Sequence, residues 1–236
     1  MKTTIKLLSF IMIFIITSCG DTTDINNNKE YETLYRTHFE NSLEISGQQV
    51  WQQNPIATKL SNAYLEFKGN RNISIVFLDP ADYNMITIGS GKIQNGLLSF
   101  KVNEPESSYL LDWNDLKSMF FFWSNIEIDV PEIKGNFILP LTTYNEKLSR
   151  ERLLGTDFSL SQEIVIFIYV DNNCQITGDY AEGQGDGFFY YTESNLSLKL
   201  KKGWNTLCRK ESYGRSGKAG ISMEIKNPDC KWVIYN

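Results

Sequence analysis

Histidine is nearly missing from this chain: one, His38, in 236 residues. That excludes multi-histidine zinc sites and leaves a single residue for any Ser–His–Asp triad. No CxxC or CxxH spacing occurs either, so no metal site and no cofactor are expected. Positive charge is in deficit, with 23 Lys and Arg against 28 Asp and Glu and a net charge of −5. Such a balance gives no global attraction for nucleic acid. No apolar run reaches the roughly 20 residues that span a bilayer. What is present is a folding composition, 42% hydrophobic and 22% charged, in a length that suits one large domain or two small ones.

The amino end carries the sharpest signal. Lys2 and Lys6 precede an apolar run from Leu7 to Ile16 broken only by Ser9, followed at once by Ile16-Thr17-Ser18-Cys19. The run is too short for a transmembrane helix and fits the core of a secretory leader. Small residues before a cysteine at that place resemble the lipobox of bacterial lipoproteins. The resemblance implies diacylglycerol transfer to the Cys19 thiol, cleavage after Ser18 and acylation of the new amino terminus. It places the protein in the cell envelope, lipid-anchored in the outer membrane and facing the periplasm or the cell surface. Acyl chains contribute about 0.8 kcal/mol per buried methylene, so several together anchor firmly. The mature 218 residues would hold 21 basic and 28 acidic groups, net −7. The polar stretch 20–30, with three consecutive asparagines, reads as a tether.

Beyond the tether, helix signals are scarce. Tyr31, Leu34, Tyr35, His38 and Phe39 recur at helical spacing; Asp112 is placed to cap a helix carrying Trp113, Leu116, Phe120 and Trp123; residues 145–154, stopped by Gly155, read as a third. His38 on that apolar stripe is expected to be structural. The remainder reads as strands. Segments 43–51, 61–67, 72–78, 84–88, 96–102, 126–130 and 136–139 alternate or run apolar between Gly, Asn and Pro breaks, with Asn95-Gly96 supplying a tight turn. After 155 come IVIFIYV, CQIT, GFFYYTESNLSLKL, NTLCRKE, GISMEIK and KWVIYN. The pattern predicts an all-β protein of two β-sandwich domains, 43–140 and 160–236, with one to three short helices. The leader spans 1–18, the tether and first helix 19–42, and a charged linker 141–159.

At ISGQQVWQQN, SNAYLEFKG and GSGKIQNGLLSFKV the first half resembles a transthyretin-like or carboxypeptidase-regulatory-type sandwich. LSLKLKKGWNTL and KWVIYN resemble the closing strands of small β-rich bacterial surface lipoproteins. Both resemblances imply a fold and a location and supply no catalytic residue.

Candidate chemistry is thin. Asp171, Asn173, Gln175 and Glu182 match an EF-hand count, but Ile176 stands where the loop needs glycine and a strand precedes it. A looser calcium site would use Asp179, Glu182 and Asp186, residues that a solvated hairpin tip explains equally. GQGDG lacks the Lys-Ser/Thr or βαβ setting of a phosphate cradle. Cys174, Cys208 and Cys230 permit one disulfide, and Cys208–Cys230 is the closest pair; three buried small side chains are the other reading. Two aromatic runs, 120–123 and 188–191, suit inter-domain packing or a docking patch.

Charge is the one feature of the mature chain that departs from its average. Residues 199–218 are net +6, leaving the rest at −13. In LSLKLKK, Leu196, Leu198 and Leu200 share one face, which puts Lys199 and Lys201 on the other. With Tyr213 and Arg215 these form a candidate docking patch for an acidic glycan or an envelope protein; an edge guarded by lysines against strand pairing is the alternative. The function expected is a membrane-anchored, non-catalytic binding, adhesion or envelope-complex accessory module. The competing reading is a carbohydrate-active hydrolase using two acidic residues.

Overall fold

The structure is a computed structural model that describes residues 36–54, 63–78, 84–118, 125–142, 146–156, 159–179, 190–192, 195–214 and 218–235. The lipobox, the tether, Phe120 to Trp123, Glu182, Asp186 and Arg215 lie outside them. The strands are β1 (His38–Phe39), β2 (Ser42–Gln53), β3 (Tyr64–Glu66), β4 (Arg71–Leu78), β5 (Met85–Gln94), β6 (Leu97–Asn103), β7 (Asn125–Ile128) and β8 (Gly135–Thr142). They continue with β9 (Lys147–Thr156), β10 (Ser159–Val170), β11 (Cys174–Asp179), β12 (Tyr190–Thr192), β13 (Asn195–Leu200), β14 (Gly203–Gly214), β15 (Lys218–Ile225) and β16 (Lys231–Tyr235). Among the described residues one α-helix, α1 (Trp113–Ser118), is capped by Asp112, whose Oδ1 accepts from the Asn114 and Asp115 amides at 2.9 and 3.1 Å.

The all-β expectation holds, and the two-sandwich expectation is corrected. Strands from both ends of the chain close one eight-stranded barrel in the order β8-β4-β5-β6-β2-β16-β9-β10, with β10 returning to β8. The seam is a fork: Ser159 to Val165 of β10 pair with β9, and Ile168 to Val170 pair with β8 on the same edge. The last strand closes the ring by lying parallel to β2, Trp232 opposite Val50. Residues 147–156, expected as linker and helix, are therefore strand β9 in the barrel wall. His38 and Phe39, expected on a helix, form the short strand β1 against β14. The Asn95-Gly96 turn is as expected, with φ of 51° and 81°.

Side chains fill the barrel. Phe167 stacks on Trp232 with centroids 6.2 Å apart, Phe100 meets Trp232 edge-on at 5.8 Å, and Tyr169 meets Trp204 edge-on at 5.3 Å. Alternation along β10 and β14 then gives the wall a second use. Val165, Phe167, Tyr169 and Trp204 face the barrel, whereas Ile168, Val170 and Leu207 face a second core. The three-stranded sheet β13-β11-β7 covers that second face with Leu196, Leu198, Leu200 and Ile176. One wall thus serves two cores.

Candidate functional site

Two constellations lie on the outer surface of the barrel wall. The first is built on β9. Because Leu148 packs inward opposite Ile234, Glu151 falls on the outer face opposite Lys231. Its side chain is nevertheless buried, at 3% exposure. Tyr64 donates to Oε1 at 2.8 Å, Gln162 donates to Oε2 at 3.0 Å, and Tyr235 donates to Oε1 as well. Burial and the adjacent Glu151 raise both tyrosine pKa values above the ordinary phenol value, so both hydroxyls remain donors at neutral pH. Lys231 does not bridge to the carboxylate among the described residues; its Nζ sits 3.6 Å from the Trp51 ring centroid and 5.8 Å from that of Tyr64. Burial lowers the Lys231 pKa, and Asp229 opposes that shift.

On the inner face, one residue along, Arg152 pairs with Glu163 at 2.5 Å, and Lys226 approaches Glu163 at 3.8 Å. Glu163 is also at 3% exposure. Arg150, inward and buried, donates to Asn227 Oδ1 at 2.6 Å and to the Pro228 carbonyl at 3.2 Å.

The second constellation is a groove of about 460 Å³ across β4, β5, β6 and β2, lined by Glu44, Ser46, Asn72, Ser90, Lys92 and Lys101 among others. A β-bulge between Ile45 and Gln48 sets its rim, with Gly47 at φ 67° and its amide donating to Ser99 Oγ at 3.2 Å. At Gly91 a Cβ would come within 2.4 Å of Phe100 Cβ and 2.5 Å of the Ser99 carbonyl. Only glycine allows β5 and β6 to approach that closely.

The residues singled out in the sequence are dispersed. Lys199 is exposed on the outer face of the small sheet opposite Gln175, with Thr177 and Glu127 further along that face, and Lys201 is exposed at its end. Tyr213 lies at the far end of β14, about 30 Å from the Lys201 end by strand length. Lys199 and Lys201 therefore do not form one patch with Tyr213. The intervening Arg209 pairs with Glu211. Cys208 and Cys230, the pair considered for a disulfide, are free buried thiols, as is Cys174. Burial raises their pKa values to about 11, 12 and 12 respectively.

The acidic and amide side chains around 171–175 serve turns. Asp171 Oδ1 accepts from the Lys134 amide at 2.9 Å, and Asn173 Oδ1 accepts from the Lys202 amide at 2.8 Å. His38 Nε2 donates to the Lys202 carbonyl at 2.7 Å. Among the described residues no group of three or more His, Cys, Asp or Glu could hold a metal ion. Glu151 and Lys92 were not marked by the sequence. Glu151 sits in a charged run that resembles a solvated helix, and its partners come from positions 64, 162 and 235. No family model, curated protein or solved structure matches the chain.

Proposed function

We propose that this protein is an envelope lipoprotein, anchored through Cys19, that acts by binding and not by turnover. One observation carries the choice between binding and glycoside hydrolysis. Among the described residues the two buried acids are Glu151 and Glu163. They belong to opposite faces of the wall, since Glu151 pairs in register with Ile164 and Glu163 with Arg152. A hydrolase needs two carboxyls converging on one bond, about 5–10 Å apart. Each of these is instead held by fixed donors, Glu151 by Tyr64, Tyr235 and Gln162 and Glu163 by Arg152. The outer wall offers a hydrogen-bonding groove, which suits recognition of a polar ligand.

Two measurements test the proposal. Cys19→Ala should abolish lipid labelling and leave an unprocessed precursor; a wild-type protein without acyl mass on Cys19 removes the anchor. A glycan panel should give retention, and failure to retain any glycan or envelope component removes the binding role.

A further inference from the structure

We infer that the groove on the outer wall of β4, β5, β6 and β2 is a binding site for a carboxylated sugar, a uronic acid unit of a glycan. The inference rests on the binding role proposed above and names the ligand class and its residues. The groove's volume is about 460 Å³, and the groove is shallow and open to solvent. A convex barrel wall does not form such a hollow by regular pleating. The bulge between Ile45 and Gln48 lies at its rim, with Ser46 in the lining.

The lining chemistry is specific. Register places Lys92 between Asn72 and Ser99, and Lys101 between Ser90 and Glu44, as two outward rows crossing the strands. Each row therefore ends in a group that can bond sugar hydroxyls, the Asn72 amide in one and the Glu44 carboxylate in the other, with Ser90 and Ser46 beside them. Lys101 leans toward Glu44, 4.0 Å away, with both side chains more than half exposed. Lys92 is exposed and makes no ion pair among the described residues.

A ligand with one carboxylate and several hydroxyls matches one uncommitted ammonium surrounded by donors and acceptors. A phosphate fits less well. It is doubly charged, it prefers backbone amide nests or arginine forks, and it would face Glu44. The mixed lining, three serines and an amide beside Lys92, Lys101 and Glu44, also distinguishes the groove from the Lys199 and Lys201 end of the small sheet.

The test is calorimetric titration of the full-length lipoprotein in detergent with a galacturonate oligosaccharide and with the matching neutral galactose oligosaccharide. The acidic ligand should bind at least tenfold more tightly. Lys92→Gln should remove most of that difference while leaving the neutral ligand and the melting temperature unchanged. Raising salt from 50 to 500 mM should weaken the acidic ligand several-fold, because exposed charges are screened within roughly 10 Å at 0.1 M salt and about 3 Å at 1 M. Lys199→Gln should change nothing, and Ser90→Phe, which fills the groove from an outward position, should abolish binding of both. Equal affinity for the two sugars, or loss of binding in Lys199→Gln but not in Lys92→Gln, overturns the assignment. Retention of other glycans with neither galacturonate nor galactose bound also overturns the groove's ligand class, yet leaves the binding role standing. Retention of nothing at all removes the binding role itself.

Discussion

Glu151 and Arg152 are consecutive in β9 and act on opposite sides of the barrel wall. Glu151 accepts hydrogen bonds from Tyr64, Tyr235 and Gln162 outside, while Arg152 neutralises Glu163 inside. The strand thus carries charge on both faces and is tied down on both. Removing the outer acceptor tests one tie. Glu151→Leu leaves two phenol hydroxyls and an amide without their acceptor, at about 1–3 kcal/mol for each buried donor stranded. A loss of about 2–4 kcal/mol in urea denaturation is expected, smaller in Glu151→Gln, which keeps an acceptor oxygen. A change below about 0.5 kcal/mol, the level of an ordinary surface substitution, would contradict the role given to this carboxylate.

The inner tie is compared with a surface one. Arg152→Ala deprives Glu163, at 3% exposure, of its guanidinium partner, so a cost of roughly 2–4 kcal/mol is expected, Lys226 at 3.8 Å moderating it. Lys101→Ala breaks an exposed 4.0 Å pair and should cost less than about 1 kcal/mol. Similar losses in chemical denaturation of the two variants would place Glu163 in a more solvated setting than its burial implies.

The shared wall has a consequence for cooperativity. Leu198 is fully buried in the second core, and Leu198→Ala should cost about 2–5 kcal/mol. Because β10 and β14 line both cores, Trp204 in the barrel should report the same lowered midpoint as far-ultraviolet circular dichroism. Two separated transitions would show that the cores unfold independently.

The buried thiols set a pH window. Their folded pKa values are raised to about 11 and 12 from an ordinary 9.0. A raised thiol pKa means the folded state keeps a proton that the unfolded chain releases. The associated stability is fully present below pH 9 and is lost as pH rises through about 9 to 12. Native protein at pH 8 should react slowly with a thiol reagent at Cys174, Cys208 and Cys230, and rapidly once unfolded. Fast labelling of the native thiols at pH 8 would contradict their burial.

Strand content was legible in the sequence where one face is apolar and the other wet. Leu196, Leu198 and Leu200 alternate with exposed residues as expected, and Asn95-Gly96 specified its turn. Residues 147–156 were misread because Arg150 and Glu151 are buried on opposite faces, so the segment shows neither apolar alternation nor a solvated stripe. Barrel closure was hidden for another reason: it depends on Trp232 lying beside Val50 and on a fork in the pairing of β10, neither of which leaves a local periodicity. The groove was illegible because its lining comes from four separate strands, β2, β4, β5 and β6, and its lysine is one of many exposed lysines.

Binding without turnover, as proposed above, is tested most directly by mass spectrometry of any glycans that the full-length protein retains. After prolonged incubation at neutral pH, the retained glycans should elute with unchanged mass and no new reducing ends. Shortened products that appear with wild-type protein and disappear in Glu151→Gln or Glu163→Gln would contradict the central claim and make the protein a hydrolase.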